Sequence, residues 1–329
     1  MNVFHSGRNT METIFEQLGL IGIIPVLTID RAEDAVPLAN ALVAGGLPCA
    51  EVTFRTDAAR EAILLIAKAG IQTLIGAGTV QNVDQVKKAV DNGARFIVSP
   101  GFNQKVVEYC IQSKTPVIPG AATPTEFEQA MNFGLDVLKF FPAEAAGGVE
   151  FLKAISPPYK KIKFIPTGGI DESRLVSYLN LPVVLACGGS WMVKSDLIAA
   201  HRFDEIQALT AKAVKTMLGM RLRHIGINSD NSKVAQKTAA FMADLLQLDT
   251  KDGATSIFIG NEFEVLKSKF LGDHGHVAIG TNSVERAVAY FERKGIKTKP
   301  ETRFEKDGRI ATIYLDIDIG GFAVHLVQL

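Results

Sequence analysis

Over residues 23–189 short apolar runs that end in Gly, Pro or Thr alternate with amphipathic stretches of roughly ten residues. Eight apolar runs can be counted, at 23–29, 49–54, 73–79, 96–101, 116–121, 137–143, 163–169 and 183–189. Strands separated by helices pair in parallel through right-handed crossovers, and eight of them close on themselves. The expected fold class is therefore α/β, a (β/α)8 TIM barrel. Helix starts agree with this reading. Thr123-Pro124-Thr125-Glu126 supplies a capping Thr, a proline at the first helical position and a Glu three residues after the cap. Asp30 with Glu33 suggests the same device. An amphipathic helix over 11–20 precedes the first strand and is expected to close the bottom of the barrel.

After a last barrel helix reaching about residue 218, the pattern changes at Arg221 to longer alternating strands with only two helices. The chain thus divides into 1–220 and 221–329. The second part repeats itself: Arg223-His224-Ile225-Gly226-Ile227 before a helix from Asn231 is echoed by Gly275-His276-Val277-Ala278-Ile279 before a helix from Ser283. An α+β domain of two βαβββ-like repeats follows.

The sixth barrel strand carries one charged residue. Val137, Lys139 and Phe141 share one face, Leu138 and Phe140 the other. A lysine in mid-strand must point to the ring of helices or to the barrel centre, and only the centre offers polar company. Glu51, Thr53 and Arg55 alternate along the second strand and its end, while Thr79 and Thr167 close the third and seventh. An amine attacks a keto group only when neutral, and a free lysine at its reference value of ~10.4 is neutral less than about one part in a thousand at pH 7. A dry site beside another cation, here Arg55, favours the neutral nucleophile. Glu51 is the candidate proton carrier for the imine that results, and the planar fork of Arg55 suits a keto-acid carboxylate. Two rival readings remain: Lys139 and Glu51 as a structural ion pair, and Lys163 as nucleophile, although it starts its strand at the end away from the catalytic loops. Thr167-Gly168-Gly169 and Gly188-Gly189-Ser190 end strands seven and eight, where barrels commonly hold phosphate on bare backbone donors. Turn chemistry alone is the plain alternative.

Composition narrows the class of ligand. Thirty-five basic residues balance 35 acidic ones, so no overall field favours nucleic acid or an anionic membrane. No segment reaches the ~18 apolar residues of a membrane span, and residues 1–9, with His5, Gly7 and Arg8, lack a signal-peptide core. A cytoplasmic protein acting on small molecules is expected. Cys49, Cys110 and Cys187 are far apart and read as reduced thiols.

The runs Glu51-Val52-Thr53-Phe54-Arg55, Gly76-Ala77-Gly78-Thr79, Ser99-Pro100-Gly101, Leu138-Lys139-Phe140-Phe141-Pro142-Ala143-Glu144, Pro166-Thr167-Gly168-Gly169-Ile170 and Gly188-Gly189-Ser190-Trp191 resemble the 2-keto-3-deoxy-6-phosphogluconate (KDPG) aldolases, which also act on 4-hydroxy-2-oxoglutarate (KHG). The resemblance covers about residues 13–218. It implies a cofactor-free class I aldolase of the Entner-Doudoroff type, a homotrimer, cleaving the phosphorylated keto-deoxy sugar acid to pyruvate and glyceraldehyde 3-phosphate. Carried over, Lys139 forms the imine, Glu51 shuttles protons, and Arg55 with Thr79 holds the pyruvate carboxylate. Phe141 packs on the pyruvyl unit, Thr167 bonds a substrate hydroxyl, and Gly168, Gly169, Gly189 and Ser190 receive the phosphate. Thr167 resembles the gluconate-type rather than the galactonate-type enzymes.

In the second domain His224 and His276 hold equivalent places in the two repeats, Glu264 lies in the first repeat's last strand and His325 in the second's. Nitrogen and oxygen donors from four strands could surround one divalent ion, zinc, nickel, manganese or iron, with a position left open. A lone strand histidine is more often a satisfied polar residue. The repeat resembles the vicinal oxygen chelate fold of glyoxalase I over about residues 222–329, whose metal ligands often read His, Glu, His, Glu; His325 departs from that set. The alternative is a structural or ligand-sensing module without chemistry of its own.

Overall fold

A computed structural model describes residues 10–329 of the chain, so residues 1–9 and the expectation placed on them lie outside the described residues. Two compact units emerge, the second starting at Leu218.

The first unit opens with α1 (Thr10–Ile21) and then alternates strand and helix. Its strands are β1 (Ile23–Leu27), β2 (Cys49–Thr53), β3 (Leu74–Gly78), β4 (Phe96–Val98), β5 (Val117–Ile118), β6 (Val137–Phe140), β7 (Lys163–Pro166) and β8 (Cys187–Gly189). Between them lie α2 (Ala35–Ala44), α3 (Ala59–Lys68), α4 (Val83–Asp91), α5 (Gln104–Gln112), α6 (Pro124–Asn132), α7 (Gly148–Ile155) and α8 (Glu172–Leu179), and α9 (Ser195–Ala199) and α10 (Phe203–Leu218) follow. All paired strands are parallel. Six form one sheet in the order β5-β4-β3-β2-β1-β8 and two form a second, β6-β7. Single parallel bridges join the two sheets, Gly120 to Lys139 on one side and Phe164 to Val184 and Thr167 to Gly188 on the other. The result is a barrel-like α/β domain.

The strands are shorter than the apolar runs suggest, because the first seven runs continue into the turns that carry the polar groups and the eighth begins before its strand. Phe127, Phe140 and Phe164 pack outside the ring, Phe96 lies beside Gly76 on the face that carries Glu51, and all four are fully buried, with Phe127 edge-on to Phe164 at 5.2 Å. Each such ring contributes about 2–3 kcal/mol on leaving water. The Thr123–Glu126 capping box forms as expected. The one expected at Asp30 does not: a short 3-10 turn starts after Arg31 with no side-chain cap, and Arg31 and His201 instead pair with the buried Asp34.

The second unit runs β9 (Arg221–Ile227), α11 (Ser232–Leu246), β10 (Thr250–Asp252), β11 (Ser256–Ile259), β12 (Phe263–Leu266) and then β13 (Gly275–Thr281), α12 (Val284–Arg293), β14 (Thr298–Lys306), β15 (Arg309–Ile319), β16 (Phe322–Gln328). These strands make one mixed sheet, ordered β10-β11-β12-β9-β13-β16-β15-β14. Each half places its first strand beside, and parallel to, its last. The halves meet through the antiparallel pair β9 and β13.

Candidate active site and candidate metal centre

Lys139 sits in mid-β6 and is 4% exposed; Glu51, on β2, is 3% exposed. Lys139 Nζ donates to Glu51 Oε1 at 3.1 Å. Burying two charges costs several kcal/mol each unless they are paired and bonded, so the two groups hold each other in place. Glycine makes room for them: a methyl group on Gly78 would overlap the Glu51 carboxyl. Thr53, fully buried, donates to the Leu27 carbonyl at 2.8 Å. Beyond the end of β2, Arg55 donates through Nε to Thr79 Oγ1 at 3.2 Å. Thr79 has φ +57°, a left-handed conformation unusual for a non-glycine residue and one that costs roughly 1–3 kcal/mol where the surroundings impose it. The Phe141 ring centroid lies 5.4 Å from Lys139 Nζ.

Thr167 is buried and follows β7 directly. Gly188 lies beside it because any side chain there would overlap Thr167 Oγ1. Gly168 and Gly169 take φ +100° and +79°, which excludes other residues without strain. Gly189 lies against the Trp191 ring. Ser190 and Trp191 join Thr28, Arg55 and Lys194 around a cavity of about 540 Å³. Lys139 and Glu51 thus meet directly, as do Arg55 and Thr79, while Thr167, Gly168, Gly169, Gly189 and Ser190 sit in the turns that follow β7 and β8. The rival Lys163 donates to the Pro182 carbonyl at the start of β7. Cys49, Cys110 and Cys187 are buried and form no disulfide with one another, and burial pushes the Cys110 thiol up to about 12, far from a reactive thiolate.

In the second unit the sheet register brings the four expected donors onto one face. One row across the sheet reads Glu264, Gly226, His276; two residues along, another reads His224, Ala278, His325. Small residues at the middle of each row leave space for the rings, and a side chain on Gly226 would overlap His276. Glu264 Oε2 lies 3.2 Å from Nε2 of both His224 and His276, which are themselves 3.1 Å apart. One ring nitrogen from each of His224, His276 and His325 falls within 4.8 Å of the others. Burial alone would raise the Glu264 carboxyl, yet the bonds from His224, His276 and Ser256 hold it below the usual carboxylate range. Burial, then the neighbouring His276 and His224, press His325 down to about 3, with Glu264 opposing, so its imidazole is neutral at pH 7. Neither His325 nitrogen has a hydrogen-bond partner, nor does Nδ1 of His276. Tyr314, which the sequence did not single out, stacks on His325 at 4.7 Å. Its place opposite His325 comes from the pairing of β15 with β16, which the sequence does not show.

No helix among the described residues is long and apolar enough to cross a membrane.

The family model for KDPG and KHG aldolases matches residues 14–209. The 2-dehydro-3-deoxy-phosphogluconate aldolase of Treponema pallidum is 50% identical over 205 residues, 62% of this chain and 98% of that protein. The KHG/KDPG aldolase of Escherichia coli is 43% identical over 193 residues, 59% of this chain and 91% of its own. A solved KDPG aldolase from Legionella pneumophila, with pyruvate captured as a covalent carbinolamine intermediate, is 40% identical, covers 63% of this chain and 98% of its own, and superposes with a TM-score of 0.59. The second unit lies beyond this match. Through residues 14–209, and with a buried lysine bonded to a buried carboxyl at its centre, the chain belongs to the KDPG and KHG aldolase family.

Proposed function

We propose that the first unit is a (β/α)8 barrel and a class I aldolase that cleaves KDPG to pyruvate and glyceraldehyde 3-phosphate, and also takes KHG, giving glyoxylate. The observation that carries this reading is the 3.1 Å contact between Lys139 Nζ and Glu51 Oε1 in a dry site. Lys139 adds to the C2 ketone and water leaves, forming an imine whose protonated nitrogen accepts electrons. The C4 hydroxyl loses its proton to the carboxylate of Glu51, the C3–C4 bond breaks, and the aldehyde departs. The remaining enamine takes a proton at C3 from Glu51, and water then releases pyruvate and frees the amine. Arg55, held by Thr79, pairs with the keto-acid carboxylate. Phe141 covers the pyruvyl group, Thr167 bonds the C4 hydroxyl, and Gly168, Gly169, Gly189 and Ser190 offer donors to the phosphate. We read it as a cytoplasmic enzyme and, from the family resemblance, as a homotrimer.

Treating the protein with pyruvate and borohydride tests the nucleophile. A reduced pyruvyl adduct is expected on Lys139, located by peptide mass spectrometry. Folded protein with no adduct there ends the imine mechanism.

The second unit we read as a vicinal oxygen chelate domain that binds one divalent metal. His224, Glu264, His276 and His325 would hold it, and the buried nitrogens without partners favour this over a satisfied polar cluster. Bound there, the ion would supply Lewis-acid polarisation to a chelating oxygen ligand. His325 stands where the resembled fold often has Glu, so a glyoxalase-type carboxylate base is missing at that position. The full chain, exposed separately to zinc, nickel, manganese and iron(II) and then dialysed, is expected to retain one equivalent by elemental analysis. His276→Ala should weaken retention by a factor on the order of 100. Failure of all four metals to bind would favour the structural or ligand-sensing module.

A further inference from the structure

Glu144 belongs to the β6 loop, five residues after Lys139, and the imine chemistry gives it no part. Its surroundings do. One oxygen accepts from the hydroxyl of the fully buried Tyr178 on α8, and the other pairs with Arg174 Nε at 2.9 Å. Arg174 also holds Asp171 at 2.7 Å, and Asp171 caps α8 by accepting from Ser173 and Arg174. The Tyr178 hydroxyl is pushed up by burial and then by Glu144, and so remains a donor.

The same loop forms the floor under the turn that follows β7. The amides of Ala143 and Glu144 donate to the carbonyls of Thr167 and Gly168 at 2.8 and 3.1 Å. A methyl on Gly168 would lie 3.3 Å from the Phe141 ring, and one on Gly169 would lie 2.7 Å from Glu144 Cβ and Cγ. The turn with two left-handed glycines is therefore seated between Phe141 on one side and Glu144 on the other. The amide bonds from Ala143 and Glu144 fix it to the loop that continues from the nucleophile's strand.

Resting on the aldolase reading above, we infer that Glu144, with Tyr178 and Arg174, is a positioning residue that fixes the Gly168–Gly169 turn relative to Lys139 and thereby sets the fit of the enzyme to a phosphorylated substrate. The imine end and the phosphate end of the substrate are held on one continuous piece of backbone. Preorganised donors bind an anion without an ordering cost at the moment of binding. Loosening the turn should weaken the phosphate end alone.

The test compares two readouts on the full chain: steady-state cleavage of KDPG, and exchange of the pyruvate methyl protons with solvent deuterium, which needs Lys139 and Glu51 but no phosphate. Glu144→Ala is expected to raise KM for KDPG by ~30-fold, equivalent to about 2 kcal/mol, with kcat and the exchange rate within about 3-fold. Glu144→Gln, which keeps the packing and an acceptor for Tyr178, should recover most of the loss. Tyr178→Phe, which removes one oxygen and leaves the core filled, should fall between them. Equal loss of cleavage and exchange would mark a merely structural residue and overturn the inference, as would an unchanged KM in both Glu144→Ala and Tyr178→Phe. Absence of the borohydride adduct from the unsubstituted protein would instead overturn the aldolase reading on which it rests.

Discussion

Replacing Lys139 by alanine is expected to lower kcat/KM for KDPG by at least ~10⁴-fold, because in the proposed mechanism its amine makes the covalent step. The measurement is pyruvate release in a coupled assay. Stability should fall as well. Glu51 would be left buried without its partner, and breaking such a pair by deleting one member costs roughly 3–5 kcal/mol. Lys139→Met, which fills the space without an amine, separates loss of chemistry from loss of fold when paired with thermal unfolding. Cleavage at an undiminished rate by a folded Lys139→Met protein would send the search to another nucleophile. Lys163 would be a poor one, since it is tied to the Pro182 carbonyl at the start of its strand.

Glu51→Gln should separate the nucleophile from the proton carrier. The carboxamide keeps the size of the side chain and a bond to Lys139, so the pyruvate adduct should still be trapped. Proton transfer at C3 has lost its acid and base, and positioned side chains in this role contribute typically 10²–10⁴-fold. A fall of that size is expected in kcat and in deuterium entry into the pyruvate methyl group, followed by proton NMR. Undiminished exchange would show that some other group, or ordered water, carries the proton. The two variants differ in their signature: Lys139→Ala loses adduct and turnover together, Glu51→Gln only turnover and exchange.

The candidate metal centre follows another logic. Four donors meet because two equivalent strands lie side by side, and Gly226 and Ala278 leave the rings room to converge. The echo of His224 by His276 could be read from the chain. Glu264 was expected as a donor from its place in the repeat, and its 3.2 Å approach to both histidines comes from β12 pairing with β9.

Features that depend on neighbours along the chain were legible from the residues alone. The alternation of apolar runs and amphipathic stretches marked all eight strands of the first unit, the capping box at Thr123 marked a helix start, and the composition of β6 marked Lys139 as a charge with nowhere apolar to go. Local rules misjudged Asp30, because Asp34 is claimed by Arg31 and by His201 from far along the chain. Tertiary structure decided what depends on register and crossing strands: Glu51 meets Lys139 across 88 positions of sequence, Gly78 leaves space for that carboxyl, and Glu144 reaches Tyr178 on a helix 34 residues away. Periodicity is set by the backbone's own repeat, which every short segment carries within itself. Contacts between distant segments are set only when packing fixes which faces meet, and no short segment contains that information.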